Sequence, residues 1–202
     1  MADQLCTTAA VKTRAGITDA DDDALISSLI DGVSDWVQDF TGRKLVPDNA
    51  ATYVVDTTTG PELYVRRGIR TLTTLEVAAT DQPSAGGTYA TVAAALCVLR
   101  PAPMYLRPGW PHDTILILGS APAFRTVING ARIVGNFGFA TTPPVITELV
   151  IDAVVAALGI RGDPAAPTIG ADGRAIAWSA FFGEGTAQLN TLLRYRGAWG
   201  IA

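Results

Sequence analysis

Apolar positions in the first forty residues recur at helical spacing. Thr7 or Thr8 is placed to cap a short helix running through Ala15, with Gly16 as its C′ residue. A longer helix is predicted from Thr18. Its first turn would hold Asp19, Asp21, Asp22 and Asp23, where unpaired N–H groups and the positive dipole end favour carboxylates. Leu25, Ile26, Leu29, Ile30, Val33, Trp36, Val37 and Phe40 then form one apolar stripe. Gly42 ends the helix, and Arg43 and Lys44 stand by its negative end. On this stripe Trp36 is expected in the core, where truncation to Ala would cost about 3–5 kcal/mol.

From Ala51 to Phe139 the period falls toward 2. Thr52–Val55, Leu63–Val65, Thr73–Val77, Ala95–Leu99, Thr114–Leu118 and Arg132–Phe137 are short β-prone runs. Turn material separates them, and Asn129-Gly130 is the strongest hairpin signal. The spacing predicts an antiparallel meander or small barrel. Helix returns at Thr142-Pro143-Pro144, with Thr142 as N-cap and proline in the first turn. Val145, Ile146, Leu149, Val150, Val154, Ala157 and Leu158 share one face, while Ile151, Val155 and Ala156 make the other apolar too. Such a helix is buried on several sides, in a core or between subunits. Gly159 and Gly162 close it. Asp163–Gly185 reads as an extended arm or long loop, and Thr186–Arg194 as a final short helix.

Composition narrows the function classes. Of 202 residues, 49% are hydrophobic and 17% charged, the net charge is −4, and mean hydropathy is +0.28. An apolar half with so little charge excludes disorder. It also suggests a surface covered by a partner or by copies of the chain. A pI near 4.9 argues against a basic nucleic-acid binder, and two cysteines against a disulfide scaffold. The most apolar window, Val145–Leu158, is too short for a bilayer and carries Glu148 and Asp152; the N-terminus lacks signal-peptide character. No membrane role is expected.

The candidate sites offer little chemistry. The Asp19–Asp23 run has Ala24 and Ile30 where a calcium loop needs glycine and glutamate, so it reads as a helix start. His112 is the only histidine, and Asp113 beside it in a strand would face the other way. Cys6, Cys97 and His112 lack metal-ligand spacing, and no phosphate or dinucleotide fingerprint is present. No catalytic residue, cofactor or metal is therefore expected. Arg66, Arg67 and Arg70 read as edge-strand charge or a subunit salt bridge. Arg194, Tyr195, Arg196 and Trp199 are residue types enriched at binding hot spots and crowd the C-terminus; the alternative is a tail that folds back, with Trp199 filling the chain's own core.

The segment from Leu5 to Arg43 opens with a short helix, then Gly16-Ile17-Thr18, an acidic run, and a long helix ending in Thr41-Gly42-Arg43. It resembles the N-terminus of head–tail connector (adaptor) proteins of long-tailed bacteriophages and gene transfer agents. Gly138-Phe139-Ala140-Thr141-Thr142-Pro143-Pro144-Val145-Ile146 resembles that family's aromatic strand leading into a proline-started helix, and Leu192-Leu193-Arg194-Tyr195-Arg196 its C-terminal end. The resemblance implies an α+β fold: a helical bundle from the N- and C-terminal helices (residues 1–50 and 141–202) with an inserted antiparallel β lobe (51–140), one domain overall. It implies a non-enzymatic virion protein made in the host cytoplasm and placed in the neck. There it would form a homo-oligomeric ring, a dodecamer matching the portal, joined to a stopper or tail-terminator protein below, with genome DNA passing through without sequence-specific contact. Portal contact is expected from Arg194, Tyr195, Trp199 and Ile201. The alternatives are a stopper or tail terminator with less helix, a hydrolase using His112, and a carbohydrate-binding β module, for which residues 51–139 hold only Trp110.

Overall fold

The computed structural model describes residues 3–79, 88–100, 109–119, 123–160, 181–183 and 185–196. They form an α+β fold in two compact units, residues 1–46 with 142–202 and residues 47–141. In the first unit, α1 (Thr8–Ala15) starts where Thr7 Oγ1 accepts the Ala10 N–H at 3.2 Å and ends at Gly16 in the left-handed region. Next, α2 (Asp23–Thr41) begins five residues later than the hydrophobic pattern predicts. The Asp21 N–H donates to Asp19 Oδ1 at 3.3 Å and the Asp23 N–H to the Ala20 carbonyl at 3.2 Å. Short Asp side chains hold the backbone in turns that compete with helix. Only Asp23 therefore lies in the first turn, where its carboxylate meets Lys12 Nζ at 2.6 Å. Along α2, Ile26, Leu29, Ile30, Val33 and Val37 are buried, but Trp36 is half-buried.

The next helix, α3 (Pro144–Ile160), takes Pro144 as its first residue, so the cap position is Pro143 and not Thr142. The Pro143 carbonyl accepts from the Ile146 and Thr147 N–H groups at 2.9 and 3.1 Å. Its buried side chains are Ile146, Leu149, Val150, Ile151, Ala153, Val154 and Ala157, and it packs against α1 and α2. Burial is not complete all round. Val145, Glu148, Asp152, Ala156 and Gly159 form one exposed stripe at helical spacing, where both carboxylates hold Arg14 of α1. Gly159 lies inside the helix; Gly162 and most of the arm from Asp163 lie outside the described residues. The last helix, α4 (Ala187–Leu193), is capped by Thr186 Oγ1 on the Leu189 N–H and buries Leu192.

The second unit is one antiparallel sheet of β1 (Asp48–Thr57), β2 (Glu62–Ala78), β3 (Tyr89–Val92), β4 (Cys97–Arg100), β5 (His112–Ile117) and β6 (Val127–Phe137). The strand order is β1-β6-β2-β5-β4, with β3 also on β2, which replaces the simple meander. Leu63–Val65 and Thr73–Val77 belong to one long strand, and Ala94–Leu96 is a 3-10 turn ahead of β4. Asn129-Gly130 makes no hairpin. It lies inside β6 at a register shift, where β1 advances from Val55 to Thr57 while β6 moves from Ala131 to Val127. Leu63, Val65, Ile69, Leu75, Val77, Val92, Ile115, Ile117, Phe124, Ala131, Ile133 and Phe137 make the core that the sheet wraps.

Candidate interaction surfaces

Among the described residues near the C-terminus, Phe182 and Arg196 are fastened to α2. Trp36 is stacked between Phe40 (ring centroids 5.2 Å apart) and Phe182 (4.5 Å), and Phe181 meets Phe182 edge-on at 4.9 Å. Arg196 places its guanidinium 5.4 Å from the Phe40 ring centroid. Such stacking and cation–π contacts contribute about 0.5–1.5 kcal/mol each beyond burial. Arg194 is exposed at the end of α4, its N–H on the Thr191 carbonyl at 3.2 Å, and Tyr195 is half-buried, its N–H on Leu192 at 2.8 Å. Trp199 and Ile201 lie outside the described residues. The Trp36–Phe182 and Phe40–Arg196 pairs were not legible in the sequence, because nothing in linear spacing couples residues so far apart.

The arginines of β2 lie on a strand flanked by β6, β5 and β3, with Arg66 and Arg67 in the register gap between Tyr64 and Ile69. Arg67 and Arg70 do not stand free. Arg67 Nη1 donates to the Tyr53 hydroxyl at 3.0 Å and lies 4.7 Å from that ring's centroid. Arg70 Nη2 donates to Asn49 Oδ1 at 2.7 Å, and its Nε to the Phe137 carbonyl at 3.3 Å. Burial, then the hydroxyl's bond to Asp48, raises the Tyr53 pKa. Both arginines tie β2 to β1 and β6, while Arg66 is exposed. Farther along, Glu76 accepts from Arg132 Nε, whose guanidinium covers the Tyr89 ring at 5.0 Å.

The residues with reactive side chains are scattered. His112 is half-buried and Asp113 buried at the start of β5, on opposite faces of the strand. Cys6 is buried and desolvation pushes its thiol up to about 11; burial also raises the half-buried Cys97. Both thiols are thus held in the protonated, weakly nucleophilic form at neutral pH. A cleft of about 650 Å³ is lined by Thr8, Ala9, Lys12, Thr13, Gly16, Ile17, Thr18 and Asp23, which supply one ion pair and three hydroxyls. Among the described residues no group of three or more His, Cys, Asp or Glu could hold a metal ion, and no helix is long and apolar enough to cross a membrane.

Apolar side chains do come to the surface, and mostly on the sheet. Val54 and Ile128 are exposed on β1 and β6, and Val98 and Leu118 on β4 and just past β5. Leu193 on α4 and Val145 on α3 complete the exposed large hydrophobics among the described residues.

Comparison with known proteins bears on these surfaces. Residues 7–71 match the family model of phage gp6-like head–tail connector proteins, the family that the chain's two ends resemble. The match spans α1, α2, β1 and the first part of β2, about a third of the chain. No curated protein matches. Among solved structures, the chain is similar to one from the neck of an empty gene transfer agent particle computed with C6 symmetry. The TM-score is 0.53 at 17% identity, covering 94% of this chain and 88% of that one. A chain from the virion of a native gene transfer agent particle gives a TM-score of 0.53 at 18% identity, with the same coverage of 94% and 88%. At such identities the likeness shows a shared fold.

Proposed function

We infer that this chain is a head–tail connector, a structural adaptor in the virion neck between capsid and tail. The observation that carries the reading is the connector-family match over residues 7–71. The likeness over 94% of the chain to a protein from a particle neck supports it. A stopper or terminator with less helix fits poorly with the four helices described.

The chain works by contact and not by catalysis; this suits an isolated His112, thiols held protonated, and aliphatic side chains such as Val54, Ile128 and Leu193 that reach the surface. It forms a closed homo-oligomeric ring, twelve copies under the portal, with the stopper or tail terminator below. A head-to-tail contact repeated around an axis gives each subunit two covered patches, in keeping with 49% hydrophobic and 17% charged residues. A net charge of −4 lets genome DNA pass the lumen without strong adhesion. The helical bundle carries the portal contact through Arg194, Tyr195, Trp199 and Ile201, with Arg196 beside them held over the Phe40 ring of α2.

Light scattering on the protein mixed with portal-bearing, tail-less heads tests the reading. Saturable binding near one copy per portal subunit is expected, and no binding at all would overturn it. Deleting Gly197–Ala202 should leave a folded protein that no longer joins those heads; normal attachment would remove the C-terminal segment from the portal contact.

A further inference from the structure

Three arginines of β2 keep their charge uncancelled. Between Tyr64, opposite Thr114, and Ile69, opposite His112, β2 has Val65, Arg66, Arg67 and Gly68 where β5 has Asp113 alone. The bulge is anchored from within. Val65 and Gly68 are buried, Gly68 takes a left-handed φ of 74°, and its carbonyl accepts the Gly138 N–H at 3.0 Å. Bulges re-aim side chains, and this one leaves Arg66 and Arg67 exposed, with Arg70 just beyond it. Among the described residues Lys12, Arg14, Lys44, Arg100 and Arg132 each meet a carboxylate, whereas Arg66, Arg67 and Arg70 meet none. The Tyr53 hydroxyl and ring orient Arg67, and Asn49 Oδ1 and the Phe137 carbonyl orient Arg70. All of these are neutral groups. Of the acidic residues beside the cluster, Asp48 accepts the Tyr53 hydroxyl and Asp113 is buried.

We propose that Arg66, Arg67 and Arg70 form a contact for the phosphate groups of duplex DNA, the genome that the neck reading passes along this chain. The proposal rests on that reading. A guanidinium offers a planar fork that engages phosphate oxygens two at a time. Neutral tethers aim two of the three forks and leave their charge intact, which a salt bridge within the fold would cancel. DNA suits the cluster better than an acidic protein surface does. Its phosphates repeat along the whole duplex, so the arginines meet one at any position of a sliding genome. Such a contact carries no sequence preference, and a net charge of −4 keeps it weak.

The test titrates the full-length chain into a labelled duplex of about 30 base pairs and follows anisotropy over a range of salt concentrations. Binding is expected at low salt, with log K falling against log salt at a slope of about −2 to −3, as three phosphate contacts require. Arg66 makes no ion pair or side-chain hydrogen bond among the described residues, so Arg66→Ala should fold as the parent does. It should make the slope shallower by about one, and Arg66→Ala with Arg67→Gln by about two, at matching thermal melts. Arg100→Ala should leave the slope unchanged, because Glu62 already pairs that guanidinium. No binding at low salt, or a slope indifferent to the Arg66 and Arg67 variants, would overturn the proposal. Reduced loading of Arg66→Ala onto portal-bearing heads with unchanged DNA binding would overturn it too, and assign the cluster to an acidic protein surface. DNA binding that these variants weaken, from a chain that never loads onto such heads, would support the contact and overturn the neck reading.

Discussion

At Gly130 a β-carbon would overlap the Thr57 hydroxyl and stand 2.9 Å from the Val127 carbonyl oxygen. Thr57 Oγ1 itself donates to the Arg125 carbonyl, so it has little room to retreat. Gly130→Ala should therefore destabilise the protein by about 2–4 kcal/mol in a denaturant melt. Gly159 in α3 is the contrasting case, because nothing lies within 4 Å of its added β-carbon. Gly159→Ala should be neutral to stabilising by up to about 1 kcal/mol. The Asn-Gly dipeptide revealed its conformational freedom in the sequence. A left-handed residue serves a hairpin or a bulge equally, and the pairing of β6 with β1 decides between them.

Among the elements, α2 was the most legible, because an amphipathic stripe over five turns survives small errors at either end. Its start moved from Thr18 to Asp23 because Asp19 Oδ1 and the Ala20 carbonyl hold turns on the Asp21 and Asp23 N–H groups ahead of the helix. The stripe also concealed a distinction. Ile26, Ile30, Val33 and Val37 are fully buried, while Trp36 lies at the margin, sandwiched by Phe40 and Phe182. A half-buried indole loses less on truncation than a core one. Trp36→Ala should cost about 2 kcal/mol, and not the 3–5 kcal/mol of a core residue, by chemical denaturation. It should also increase protease cleavage near Phe182, since the stack fastens that segment. Unchanged cleavage would mean that α4 and Leu192 hold the segment without the stack.

For the molecule as a whole, the decisive pairing joins the first and last strands of the lobe. Asp48 lies opposite Phe137, so β1 and β6 bring two positions close to the ends of residues 47–141 to the roughly 5 Å of an antiparallel pair. A unit with adjacent ends and its own core interrupts a helical unit at small entropic cost. Residues 47–141 expressed alone should therefore unfold cooperatively and keep a β-type circular dichroism spectrum. A chain without a cooperative transition would show that the lobe's core depends on the helical unit.

The sequence by itself determined what local periodicity and short-range capping control: α1 and its caps, the register of α2, a proline-started α3, α4, the β character of the middle, and the resemblance carried by the two ends. Tertiary structure decided what depends on partners distant in the chain. It merged two predicted strands into β2, placed Arg66, Arg67 and Arg70 on a central strand, turned a hairpin signal into a bulge, and set Trp36 against Phe182. The physical reason is that helix periodicity is written within one element. Strand order and aromatic contacts are instead selected by total burial and hydrogen bonding over the whole chain, to which no single segment testifies.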